Sequence, residues 1–243
     1  MEELSDYLFQ KIGQRFSVPT IFRVLKKKRI SWKKADKQFS EQDEEKIKQF
    51  VKDNCQLLSL SSLYSLDECS FNLGAVPHHA RAHKSKRAVV KRPGKKGSNY
   101  TLILSVQNLE KGEIKYELIK GGAKAWNFYD FLKNIKTSGN EKRYILLDNV
   151  RIHHAVKALK ELGLPSIKEL AKQKNIVLVY LPPYTPELNP TENCNSVIKN
   201  YYRKHKPRTE EELRKVIEEG IAELKKHDLR NFFKSAFDYE NWH

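Results

Sequence analysis

Residues 144–155 read YILLDNVRIHHA, and the way this stretch folds decides the rest. Tyr144–Leu147 is a short apolar run of the length and composition of a buried strand, and His154–Leu162 has helical spacing. Between them the strand stops at Asp148-Asn149. That places a carboxylate at the carboxyl end of a strand, where open α/β sheets expose their chemistry. A plain turn would read the same way, because Asp and Asn favour turns after any strand. Residues 63–71, LYSLDECSF, repeat the pattern, with Leu63–Leu66 as strand and Asp67-Glu68 expected at its end.

Downstream, Ile167–Lys172 reads as a short helix and Ile176–Tyr180 as a strand. The proline-rich LPPYTPELNP (181–190) leads into a helix from Pro190 to Lys204. Asn189 is a good N-cap, Pro190 suits the first turn, and Glu192 stands where a capping box would put it. Local chemistry thus offers Glu192 a purely structural role. Thr209 and Glu212 form a capping box for a last amphipathic helix through Leu224. Upstream, Ala88–Lys91, Tyr100–Val106 and Ile114–Ile119 are apolar and β-branched, with turn chemistry at Pro93-Gly94 and Lys111-Gly112. Trp126–Ile135 reads as a helix, and so does Glu41–Asp53, with Ile47, Phe50 and Val51 facing inward. The pattern predicts an α/β fold, a mixed sheet covered by helices.

The first forty residues differ. Leu4, Tyr7, Leu8 and Ile12 have helical spacing; after Gly13, Ser17 can cap a second helix that ends in Lys26-Lys27-Lys28-Arg29. Two short helices joined by a tight turn fit the last part of a helix-turn-helix, and equally a generic helical hairpin. Residues 31–42 read as a polar, basic linker.

Composition sets the partner. The 243 residues hold 46 Lys and Arg against 30 Asp and Glu, a formal charge of +16 that favours a polyanion. The excess is clustered in Arg23–Lys37 and Arg81–Lys96, the second without any acid. A solvated charged face is the alternative, and charge alone does not separate DNA from RNA. Three cysteines make no disulfide framework, no apolar run is long enough to span a bilayer, and the opening MEELSDYLFQ is too acidic for a signal peptide. An intracellular protein with no membrane association is expected. Cys55, Cys69, His79 and His83 lack usual zinc spacing, and Gly94-Lys95-Lys96-Gly97 lacks the flanking residues of a phosphate-cradling loop. Trp126 and Trp242 read as packing residues.

Three acids at the rim of a sheet in a basic protein make a chemical pattern. Hydrolysis or transfer of a phosphodiester needs counter-charge and an activated nucleophile. Two divalent ions about 3.5–4 Å apart supply both, and carboxylates are the hard ligands that hold them.

LDECSFN (66–72), KRAVVKRPGKKGSNYTLILSV (86–106), LLDNVRIHHA (146–155) and LPPYTPELNPTENCNSVIKN (181–200) together resemble, in order, the DDE catalytic domain of mariner-type transposases and their bacterial insertion-sequence relatives. FSVPTIFRVLKKKRISWKKA (16–35) is similar to the end of the second helix-turn-helix that precedes that domain. The resemblance implies an RNase H-like fold over residues 41–243, preceded by a partial helix-turn-helix and basic linker over 1–40. It implies Mg²⁺- or Mn²⁺-dependent DNA cleavage and strand transfer at transposon ends, with two ions held by Asp67, Asp148 and Glu192, and Asn149 and His153 close behind them. The implied partners are double-stranded DNA, as terminal repeats and as target, and a second copy of the chain on that DNA. The host nucleus is the expected compartment if the host is eukaryotic. Thr20, Arg23, Lys26, Lys27, Lys28, Lys33, Lys34, Lys86, Arg87, Lys91, Arg92, Lys95 and Lys96 are the expected DNA contacts. A catalytically inactive, transposase-derived DNA-binding protein is the alternative, while the proline-rich loop argues against a nuclease of RNA hybrids.

The chain departs from the family pattern at three points. Forty-three residues separate Asp148 from Glu192, a surplus falling around LGLPSIKELAKQK where an extra helical turn is expected. Asn195 replaces a common Trp, read as a packing change. Met1 falls partway through the relatives' DNA-binding region, so a first helix-turn-helix is expected to be missing.

Overall fold

The computed structural model describes residues 2–32, 39–76, 81–91, 94, 97–136, 142–149 and 156–239. The chain divides into two compact units, Met1–Ser40 and Glu41–His243. In the first, α1 (Glu2–Ile12) and α2 (Val18–Lys27) are joined through Gly13. Ser17 caps α2 as its sequence foretells, accepting from the Thr20 N–H at 3.4 Å, and its hydroxyl also pairs with that of Thr20. Ser5 ties α1 to the turn by donating to the Phe16 carbonyl, and Ile21 is buried.

The second unit begins with α3 (Glu44–Asn54), capped by Asp43, and a 3-10 turn over Cys55–Ser59. Five strands follow: β1 (Leu63–Asn72), β2 (Asn99–Gln107), β3 (Ile114–Lys120), β4 (Arg143–Leu147) and β5 (Ile176–Tyr180). Their order across the sheet is β3-β2-β1-β4-β5, the first three antiparallel and the last three parallel, as an RNase H-like domain requires. Helices α4 (Ala125–Lys133), α5 (Val156–Glu161) and α6 (Ile167–Gln173) are interleaved with β4 and β5. Then come α7 (Pro190–His205), α8 (Glu210–Leu224) and α9 (Arg230–Phe237).

Strand alternation sorts side chains to two cores. Leu63, Cys69 and Phe71 of β1 join α3, α7, α8 and α9 on one face; Tyr64 and Leu66 join α4, α5 and α6 on the other. Each fully buried Leu or Phe in these layers contributes about 1.5–3 kcal/mol of transfer free energy. Between Asp148 and Glu192, α6 packs Ile167, Leu170 and Ala171 into the second core.

Three expectations need correction. β1 does not stop at Asp67: its pairing with β2 runs on to Asn72↔Asn99, and Cys69 and Phe71 are buried there, so Asp67 and Glu68 lie inside the strand. Ala88–Lys91 is not a strand; the segment is exposed and pairs with no strand among the described residues, and a β-branched composition without a partner strand does not make one. Thr209 caps α8 by accepting from Glu212 N–H, but the Glu212 carboxylate accepts from Arg208 N–H, one residue short of a closed capping box. The last helix, α9, went unforeseen, and Trp126, read as core or helix-end packing, is half exposed at the start of α4.

Two close approaches shape the fold around α7 and around the long β1–β2 connection. A Cβ on Gly97 would lie 2.1 Å from the Gly74 nitrogen, so the two backbones meet where that connection opens and closes. Asn72 clamps this stem: Oδ1 accepts from Gly74 N–H at 2.7 Å and Nδ2 donates to Gly97 O at 3.0 Å. In α8, a Cβ on Gly220 would stand 3.1 Å from Ile198 Cα in α7. Gly220→Val should therefore cost about 1–3 kcal/mol by overpacking, read as a lower denaturant midpoint at unchanged m-value. An unchanged midpoint would mean the two helices are not closely seated.

Candidate active site

The parallel register pairs Leu63 with Tyr144 and Ser65 with Leu146. Carrying it two residues further on each strand sets Asp67 level with Asp148, just past the point where β4 ends. Asp148 is thus at a strand end, as read from sequence; Asp67 is at an end only relative to its parallel neighbour. Alternation puts Ser65 and Asp67 on one face of β1, the face covered by α7.

α7 is docked on that face by polar groups inside the core. Asn189 Oδ1 accepts from the Ser65 hydroxyl at 2.9 Å and from the Thr191 N–H at 3.2 Å, and the Thr191 hydroxyl donates to Ser65 Oγ at 2.6 Å. All three residues are buried. Asn195, one turn on, donates from Nδ2 to Asp67 Oδ2 at 3.3 Å. Asn189 serves as N-cap, and Glu192 follows in the first turn, half-buried. Unlike Glu169, which closes a capping box with Ser166, Glu192 is not bonded back to its N-cap backbone. The structural role open to Glu192 in the sequence is not taken up.

Electrostatics joins the acids. Burial raises the Asp67 carboxyl well above the ordinary carboxylate range, and the negative charges of Glu192, Glu68 and Asp148 raise it further. One carboxylate oxygen of Asp148 is shut from solvent as well. Among the described residues no three His, Cys, Asp or Glu side chains are gathered tightly enough to hold a metal ion as they stand. The donor set still suits a divalent cation: hard oxygens, one of them on a buried carboxylate crowded by like charge that a cation would neutralise. Cysteines offer no competing site. Burial pushes the Cys69 thiol up to about 12 and Cys194 higher, leaving both as packing groups.

Asn149 follows Asp148 and is exposed, while His153, Lys33, Lys34, Arg92, Lys95 and Lys96 lie outside the described residues, as do His79, His154 and Trp242. Arg23, Lys26, Lys27 and Lys28 are exposed on and just after α2; Lys86, Arg87 and Lys91 are exposed in the β1–β2 connection. Thr20 turns its hydroxyl to Ser17. Lys199, not singled out from the sequence, is half-buried on α7, close enough to Cys69 for its charge to act on the thiol. Seven residues, two helical turns, separate it from Glu192, a spacing that could have placed both on one face.

The Asp67 environment has a measurable consequence. A carboxyl whose pKa is raised by folding destabilises the fold at every pH above its folded value. The penalty fades as pH falls through that value and is gone near the unfolded value of 3.8. With divalent ions chelated, Asp67→Asn should therefore have a higher Tm than the parent at about pH 7–8, the gap closing toward about pH 4. Equal Tm values across that range would mean that Asp67 is solvated.

Residues 62–214, more than half of the chain, match the family described as DDE superfamily endonuclease, and residues 1–54 match the winged helix-turn helix family. The fold is also that of solved mariner structures. The Mos1 mariner paired end complex with Mn has TM-score 0.65 and 16% identity, covering 97% of this chain and 76% of that one. The Mos1 strand transfer complex has TM-score 0.65 at 16% identity, covering 100% and 78%. The catalytic domain of Mos1 mariner transposase has TM-score 0.52 at 15% identity, covering 86% and 98%. By sequence, the chain matches none of the curated proteins with which it was compared. With the strand order, the level acids and a family match over the whole sheet in agreement, the chain belongs to the DDE superfamily of endonucleases.

Proposed function

We propose that this protein is a transposase that cuts double-stranded DNA at transposon ends and transfers the freed strand to target DNA, with Asp67, Asp148 and Glu192 as its catalytic carboxylates. One observation carries the reading: Asp67 lies level with Asp148 on adjacent parallel strands and is acted on by the charges of both Asp148 and Glu192. Mg²⁺ or Mn²⁺ held by these three residues supplies counter-charge for the phosphodiester and activation of the attacking oxygen. The solved Mos1 complexes with Mn and with Mg support that choice of metal.

The chain's own groups set the stage. Asp67 is fixed by burial and by the Asn195 amide; Asp148 lies just past the sheet ladder, which ends at Leu147; Glu192 arrives on a helix whose start is bonded into β1. Lys199, on α7 two turns from Glu192, and Lys86, Arg87 and Lys91, in the β1–β2 connection, neutralise backbone phosphates, a role independent of sequence. Arg92, Lys95 and Lys96 act likewise. Asn149 and His153 would contact metal-bound phosphate or water. Residues 1–40, with Thr20, Arg23, Lys26, Lys27, Lys28, Lys33 and Lys34, form a DNA-binding unit ahead of the catalytic unit 41–243. The assembly is two copies on paired DNA ends, by analogy with the Mos1 paired-end complexes. The working compartment is intracellular, the nucleus in a eukaryotic host; among the described residues no helix is long and apolar enough to cross a membrane.

Two measurements test this. Asp148→Asn keeps the side chain's size and removes its charge. Divalent-dependent cleavage of DNA carrying the element's own ends should fall by at least about three orders of magnitude, roughly 4 kcal/mol at 1.36 per tenfold. DNA affinity should hold or rise. Tight binding without any cutting by the parent protein would make it a DNA-binding derivative, and unimpaired cutting by the variant would mean the acids are misassigned.

Replacing Lys86, Arg87 and Lys91 together by Ala should weaken binding to all sequences alike. It should also flatten the slope of log affinity against log salt by about 2–3, near 0.9 for each phosphate no longer neutralised. An unchanged slope would take these residues off the DNA.

A further inference from the structure

Asn195 is fully buried on α7, three residues after Glu192. A buried amide is costly unless both its ends are hydrogen-bonded. Asn195 meets half of that condition. Its Nδ2 donates to Asp67 Oδ2, while its Oδ1 is shut from solvent and has no hydrogen-bond partner among the described residues. The neighbours on its helix, Cys194 and Ile198, belong to the apolar core, where Leu would fill the same space without burying an unpaired amide oxygen, at the loss of the donor to Asp67. An amide kept at such a point makes sense if the half that is bonded fixes something and the half that is not awaits something.

We infer that Asn195 is a positioning residue for a divalent cation: it holds Asp67 Oδ2 so that Oδ1 is the oxygen left for the cation, and its own Oδ1 is the acceptor for the cation's hydration shell. The inference rests on the assignment of Asp67 as a metal ligand. The amide reaches from the helix that carries Glu192 to the strand that carries Asp67, so one hydrogen bond sets both the rotation of one carboxylate and its separation from the other. Neither Cys194 nor Ile198 can do this, having no donor suited to a carboxylate. Supporting groups of this kind typically govern metal affinity by tenfold to a hundredfold, on the order of what ligand orientation is worth.

The test sets metal affinity against stability in the full chain, using Mn²⁺ titration by calorimetry and thermal unfolding in chelator. Asn195→Leu keeps the volume and removes the donor; Asn195→Ser keeps a donor and loses volume. A positioning role gives Mn²⁺ affinities in the order parent, Ser, Leu, with Leu weaker than the parent by about tenfold or more. Tm should run the other way between the two variants, with Leu above Ser. If affinity follows Tm, or if Asn195→Leu binds Mn²⁺ like the parent, Asn195 only packs and the inference is overturned. Should Asn195→Leu fail to fold, Asn195→Ser against Asn195→Ala decides: tighter Mn²⁺ binding by Ser supports the role, and equal binding overturns it. Asp67→Asn separates the two levels. If it abolishes Mn²⁺ binding while Asn195→Leu does not weaken it, the metal assignment stands and the Asn195 role falls. If the parent itself binds no Mn²⁺, both fall.

Discussion

Three hydroxyl and amide groups sealed between a helix and a strand hold this structure in register. Ser65, Asn189 and Thr191 satisfy one another in a core that offers them no water. Hydrogen bonds are directional, and a buried polar group left without a partner costs about 1–3 kcal/mol. A slide of α7 by one residue along β1 would break both bonds to Ser65 at once, whereas apolar contacts alone would tolerate it with modest repacking. The position of Glu192 relative to Asp67 therefore follows from a polar lock, with Leu188, Cys194 and Ile198 supplying the bulk of the attraction around it. The Gly220 contact adds a backstop from the far side of α7.

Much of this was legible in the sequence, and the exceptions have physical causes. The β4 reading succeeded because YILL is apolar on both faces and ends where its neighbour β5 ends. β1 misled because its acids look like a terminus, yet an antiparallel neighbour keeps the strand extended to Asn72. Local composition does not reveal who pairs with whom, and Ala88–Lys91 shows the converse error, strand-forming residues that no described strand flanks. Glu192 was ambiguous for a different reason: Asn-Pro-Thr-Glu is good capping chemistry, and only in the folded chain is it seen that the capping box is not closed. Nor does local sequence show that Asn195 bonds Asp67, 128 positions earlier along the chain.

The charge distribution sets a tension at the centre of the protein. A chain of +16 gathers four carboxylates, Asp67, Glu68, Asp148 and Glu192, within electrostatic reach of one another, and buries one of them. Left to itself that arrangement works against folding, since each negative charge raises the free energy of the next. The two apolar cores on either side of the sheet supply the surplus stability that tolerates it. A sheet packed on both faces is also stiff, which suits a site where small displacements of charged groups change the local field strongly.

The pinched stem at Gly74 and Gly97 bears on how such a protein can change over time. Tyr202 and Arg208, from the far end of α7 and beyond, bond the carbonyls of Asn72, Leu73 and Ala75 beside the stem, so the sheet is closed off before the basic connection departs. Past the stem, the described residues 81–91 are all exposed. Insertions, deletions and charge changes within 81–91 can accumulate there without reaching the strands. A lineage is thus free to vary the charge of that connection while the pairing of the strands stays as it is.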